Sequence, residues 1–275
     1  MRQVNRKLLI LAFHHPYLMH ASVAVALAYD RHLSPSSPGS RRTLEECYHW
    51  SRSTALLNKR LREPIKTMDK DPIWGTAAAL AVLSFASIDA STPEASWPLK
   101  PPDSSDLEWS RMGQGKMSLW DVANPMRPDS LFSIMAPTYA HLHAPLPDRA
   151  IDDIPGALAA VCGLDDLSTV GKNPYLDAAY AVSRIQALTD DQVTIGQTER
   201  FTQAIRGPFE SLLRAKDPVA LLLLYLWYRR AGRCMWWIAL RARVECPAIC
   251  AYLRMYHGEN GNVMAFLVGE ALAHS

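Results

Sequence analysis

Asp217–Tyr256, DPVALLLLYLWYRRAGRCMWWIALRARVECPAICAYLRMY, is the stretch whose reading decides the fold. Asp217 can accept hydrogen bonds from the free N–H groups of a helix start. Pro218 suits the first turn, where its missing N–H costs nothing. Val219 to Trp227 are apolar on every face of a helix. A helix with no polar side must be surrounded by protein, which predicts a buried central helix. Nine apolar residues are too few to cross a bilayer, which needs roughly 20. Arg229, Arg230 and Gly232 are expected to end this helix, with positive charge at its negative end. A second helix then carries Trp236, Trp237, Leu240 and Val244 on one stripe. Pro247 is expected to break it, and Ile249, Leu253 and Tyr256 to open a third.

Outward from that stretch, the pattern stays helical. His15-Pro16 separates two helical patterns, the second running through Leu18, Met19, Val23, Ala26 and Leu27 to Leu33. Ser34–Ser40 reads as a loop. Arg41–Glu63 predicts a helix with its apolar face at Leu44, Cys47, Tyr48, Ala55 and Leu56. Asp71-Pro72, Asn173-Pro174 and Asp217-Pro218 share one start signal, an acceptor side chain followed by proline. Four prolines make residues 91–103 an exposed excursion, and Ser105 with Glu108 has capping-box spacing. Short helices are expected at Asp129–Thr138, Pro155–Cys162, Thr198–Arg206 and Pro208–Lys216. No run of β-branched residues alternates as a strand would. The expectation is an all-α fold, a single compact domain over residues 1–275.

Composition limits the function classes. The chain is 49% hydrophobic and 20% charged, as ordinary soluble globules are. A net charge of only +2 offers no broad basic field for nucleic acid. No cleavage site follows the apolar run Leu8–Phe13, so no signal peptide is expected. The five cysteines are scattered and read as reduced thilos of a nuclear or cytoplasmic protein.

No motif for catalysis stands out. His14, His15 and His20 lack metal-ligand spacing, and Cys246 and Cys250 have no second pair, so no metal and no cofactor are expected. Gly113 and Gly115 fit a turn at a close helix crossing better than a phosphate loop. The acidic pairs Asp152-Asp153, Asp165-Asp166 and Asp190-Asp191 raise the thought of magnesium and a diphosphate substrate, but each lacks a third carboxylate one turn on. Arg229, Arg230, Arg233, Arg241 and Arg243 read as a solvated rim paired with Glu210 or Glu245. Phe132, Met135, Trp227, Met235 and Trp236 combine expected burial with size and softness, and are the candidate lining of an apolar pocket.

Three segments carry a resemblance: LAFHHPYLMHASVAVALAYDRHL near the N-terminus, LEWSRMGQGKMSLWDVANPMRPDSLF, and DPVALLLLYLWYRRAGRCMWWIALRARVECPAIC. They resemble the C-terminal regulatory region of fungal Zn2Cys6 transcription factors similar to the sterol uptake control protein. The resemblance implies an all-helical nuclear domain that senses a sterol-like hydrophobic molecule and controls transcription, with co-regulators or self-association as its partners. The six-cysteine zinc cluster of that family is missing. Either this is the regulatory part alone or a shortened homologue, and direct DNA binding by this segment is not expected. Two rivals remain: an all-α enzyme of isoprenoid or lipid metabolism, and a protein-interaction module without ligand.

Overall fold

A computed structural model describes the backbone of residues 2–34, 41–165, 168–169 and 172–272. The expected loop at Ser34–Ser40 and the second member of the Asp165-Asp166 pair therefore lie almost wholly outside the described residues. The fold is all-α, and no strand occurs among the described residues. The chain divides into two compact units. One holds residues 1–89 and 108–139, the other residues 90–107 and 140–275.

The first unit contains α1 (Arg2–Ala12), α2 (Pro16–Leu33), α3 (Leu44–Leu61), α4 (Thr67–Ala86), α5 (Glu108–Met117) and α6 (Trp120–Ala123), then a 3-10 turn at Ser133–Met135. α2 packs on α3, α4 and α1. Leu18, Ala21, Ala24 and Ala28 make its inward stripe at helical spacing. Thr43 caps α3, its hydroxyl accepting from the Glu46 amide at 3.0 Å.

The face that α3 buries is not the apolar one read from sequence. Glu46, Ser53 and Leu57 point inward, while Leu44 and Tyr48 are exposed. Polar groups can be buried there because each has a partner. The Arg31 guanidinium grips Glu46 with two hydrogen bonds, Nε to Oε2 at 3.1 Å and Nη2 to Oε1 at 2.9 Å. The Ser53 hydroxyl donates to the Tyr17 carbonyl at 2.7 Å.

Proline also misleads at two places. α4 starts at Thr67, not at Pro72, and the Lys66 amide donates to Asp69 at 2.8 Å across its first turn. In the second unit Pro247 lies inside one continuous helix. A proline forfeits one ladder hydrogen bond and crowds the preceding turn, yet burial of the flanking residues keeps each helix whole. Gly113 and Gly115 are likewise inside α5 rather than in a turn, and a Cβ at either would meet nothing within 4 Å. No close helix crossing uses them.

The second unit contains the second half of α7 (Ala136–His143), then α8 (Gly156–Val161), α9 (Leu176–Gln186), α10 (Ile195–Ala204), α11 (Gly207–Arg214), α12 (Pro218–Cys234), α13 (Trp236–His257) and α14 (Gly261–Leu272). α12 is its central helix. Asp217 caps it as expected, accepting from the Val219 and Ala220 amides at 3.0 and 2.9 Å. Ala220 through Tyr228 are buried without interruption, and α9, α10, α11, α13 and α14 all contact this helix. It runs two residues past Gly232.

Residues 91–103 are non-helical but not simply exposed. Ser96, Trp97 and Pro98 are buried, and Lys216 Nζ donates to the carbonyl of Pro98 at 2.6 Å and of Lys100 at 3.2 Å. The Ser105 hydroxyl serves Asp103 rather than a capping box.

Candidate functional site

In the first unit, Asp71 replaces its expected capping role with a tether. Its carboxylate accepts from Arg127 Nη2 at 2.7 Å, Ser130 Oγ at 2.8 Å and the Leu131 amide at 2.8 Å. That pins the chain just before Phe132 onto α4. Phe132 is buried, and its ring reaches the surface of Gly75, where an added Cβ would lie 3.5 Å from it and 2.9 Å from Leu8. The neighbouring Trp74 is fully buried, edge-on to Trp120 at 5.4 Å and Tyr139 at 6.4 Å, with Lys116 Nζ over its ring. Trp74 Nε1 is buried and has no hydrogen-bond partner among the described residues. A buried donor without an acceptor costs about 1–3 kcal/mol. The site is thus an aromatic cluster with one unused polar point.

The five residues singled out from sequence fall into both units. Phe132 and Met135 belong to the first; Trp227, Met235 and Trp236 belong to the second. Trp227 is 1% exposed, stacked on Phe201 at 5.0 Å, and its Nε1 donates to the Thr198 carbonyl at 3.1 Å. Its ring and its polar atom are both engaged. Met235 is buried at the junction of α12 and α13, and Trp236 is half-buried against Trp237.

The arginine-rich end of α12 forms a cleft of about 590 Å³ with the chain after α9, lined by Gln186, Leu188, Thr189, Asp190, Leu226 and three arginines, 229, 230 and 233. Arg230 is a structural clamp. It donates to the Ile185 carbonyl at 3.0 Å, the Leu188 carbonyl at 2.6 Å and Asp190 Oδ1 at 2.5 Å. Arg233 Nη2 takes the other oxygen of Asp190 at 3.0 Å. The hydrogen bond from Arg230 holds the Asp190 carboxyl below its ordinary value, so it stays ionised. Glu245 pairs with Arg241, at 2.6 Å, and Glu210 pairs with Arg214. The pairing of Asp190 with Arg230 was out of reach of sequence reading because 40 residues separate the two.

The other acidic residues of the pairs do not converge among the described residues. Arg149 and Arg184 approach Asp152 and Asp153, and Asp165 binds Ser168. Among the described residues no group of three or more histidines, cysteines or carboxylates could hold a metal ion. Burial pushes the Cys246 thiol well above its ordinary value, which makes it a poor nucleophile. No described helix is long and apolar enough to cross a membrane. Compared with family models, curated proteins and solved structures, the chain matches none.

Proposed function

We propose that this chain is a regulatory, ligand-responsive helical domain of the kind found in fungal Zn2Cys6 transcription factors, acting in the nucleus and answering to a sterol-like molecule. The observation that carries the reading is the unused Trp74 N–H inside an aromatic cluster. A flat, mostly apolar guest with one hydroxyl would offer the missing acceptor and bury its rings against Phe132 and its neighbours. The resemblance supplies the class of guest, and its three segments supply α2, the α5–α6 region and the α12–α13 pair. Among the described residues Asp152, Asp153 and Asp190 face arginines and Asp165 meets Ser168, so these contacts lend the rival enzyme reading no support.

The test is thermal unfolding of the whole chain with ergosterol and a panel of fungal lipids. A ligand at 100 times its dissociation constant adds about 2.7 kcal/mol to a folded state that alone binds it. Trp74→Phe is expected to abolish the response while the chain still unfolds cooperatively. No response to any lipid would remove the sensor and leave a docking role. One observation favours that second reading: Leu9, Ile10 and Phe13 of the first helix segment are 53%, 56% and 74% exposed.

A further inference from the structure

A second site, independent of the lipid reading, is built into the other unit. The cleft at the end of α12 is lined by three arginines and one aspartate. Asp190 is already shared, one oxygen to Arg230 and the other to Arg233. Arg230 spends its donors on two carbonyls and that carboxylate. Arg229 differs. It lines the same cleft and is half-buried, yet it has no hydrogen bond and no carboxylate partner among the described residues. Its planar fork fits two oxygens of one anionic group.

From this geometry we propose that the cleft binds a small organic dianion, a phosphate ester or a dicarboxylate, between Arg229, Arg233 and the Gln186 amide. The charges fit, since two positive charges remain after Asp190 is counted. The size fits as well, because small-molecule sites run about 300–1,000 Å³. Leu226 and Leu188 give the carbon part of the guest an apolar floor. The consequence follows from Arg230. It holds the 185–190 segment to α12, so an anion seated beside it stiffens that junction.

The experiment uses the whole chain, titrated with inorganic phosphate or succinate while sodium chloride keeps the ionic strength constant. Thermal unfolding and calorimetric titration are the readouts. We expect a saturable rise in Tm with at least one of the two, and which one acts separates the phosphate ester from the dicarboxylate. Arg229→Gln should weaken binding about tenfold or more, the weight of a charged hydrogen-bonding contact. Its Tm without anion should stay unchanged, because Arg229 makes no hydrogen bond or ion pair among the described residues. Should that variant fail to fold, Gln186→Leu on the exposed wall must weaken binding instead. Equal responses of wild type and both variants would mean general salt screening and overturn the site, as would no saturable response to either anion. Neither result depends on Trp74 or on lipid.

Discussion

Single residues set the sharpest energetic stakes at buried charges. Arg31 and Glu46 are paired with side-chain exposures of 5% and 1%. Removing one charge leaves the other buried without compensation, which costs far more than the intact pair is worth. Glu46→Gln is therefore expected to destabilise the chain by roughly 3–5 kcal/mol, read from the urea midpoint. Replacing both residues with apolar ones of similar volume should recover most of the loss. A midpoint unmoved by Glu46→Gln would mean the pair is solvated in solution. The second unit repeats the pattern, with Glu245 taking hydrogen bonds from Tyr228 at 2.6 Å and Arg241 at 2.6 Å. Spacing shows that Arg241 and Glu245 are one turn apart, but nothing local shows that Tyr228 caps the same carboxylate.

Between elements, the α2–α3 contact carries a pH dependence. His20 Nδ1 lies 2.9 Å from His49 Nδ1, so one ring must donate and the other accept. Burial first, then His49 and Arg52, lowers the His20 pKa below its ordinary 6.5. His15, just before α2, shifts the same way, chiefly through burial. Above pH 6.5 both folded and unfolded chains are neutral at these rings, and the full stability is present. As pH falls below 6.5 the unfolded chain takes up protons first, so stability is lost as pH drops through the folded-state values. The denaturant midpoint should therefore fall between pH 7 and pH 5, and His20→Gln should flatten that slope. An unchanged slope would assign the dependence elsewhere. The sequence pattern around His49 gave no hint of the pairing, because its partner sits 29 residues away. Pro72 and Pro247 teach a related lesson: a local breaker is overridden when both flanks of a helix are buried.

At the scale of the whole molecule, charge decides one question. Twenty-nine basic against 27 acidic residues leave almost no field to attract a polyanion. Even non-specific DNA binding draws on several phosphate contacts. The intact chain is expected to show no submicromolar affinity for random duplex at physiological salt in a fluorescence-anisotropy titration. Tight binding with a steep salt slope would refute this. The cleft's excess charge is local and suits a small anion rather than a duplex.

The sequence by itself determined the all-α class, the capped start at Asp217, the break at His15-Pro16 and the all-round burial of the Ala220–Trp227 stretch of α12. Each of these rests on contacts within a few residues or on a residue's own hydrophobicity, which the chain carries wherever it folds. The tertiary structure alone decided what polar groups do. Glu46 turned inward to Arg31, Asp71 held a loop instead of capping a helix, Asp190 closed on Arg230, and Arg229 was left over. It also assigned Phe132 and Met135 to one unit and Trp227, Met235 and Trp236 to the other. Those outcomes depend on which donor meets which acceptor across tens of residues, and a buried polar group is stable only where that partner arrives. Helical spacing records the face a side chain occupies, but the partner on the opposite surface is fixed only when the helices pack.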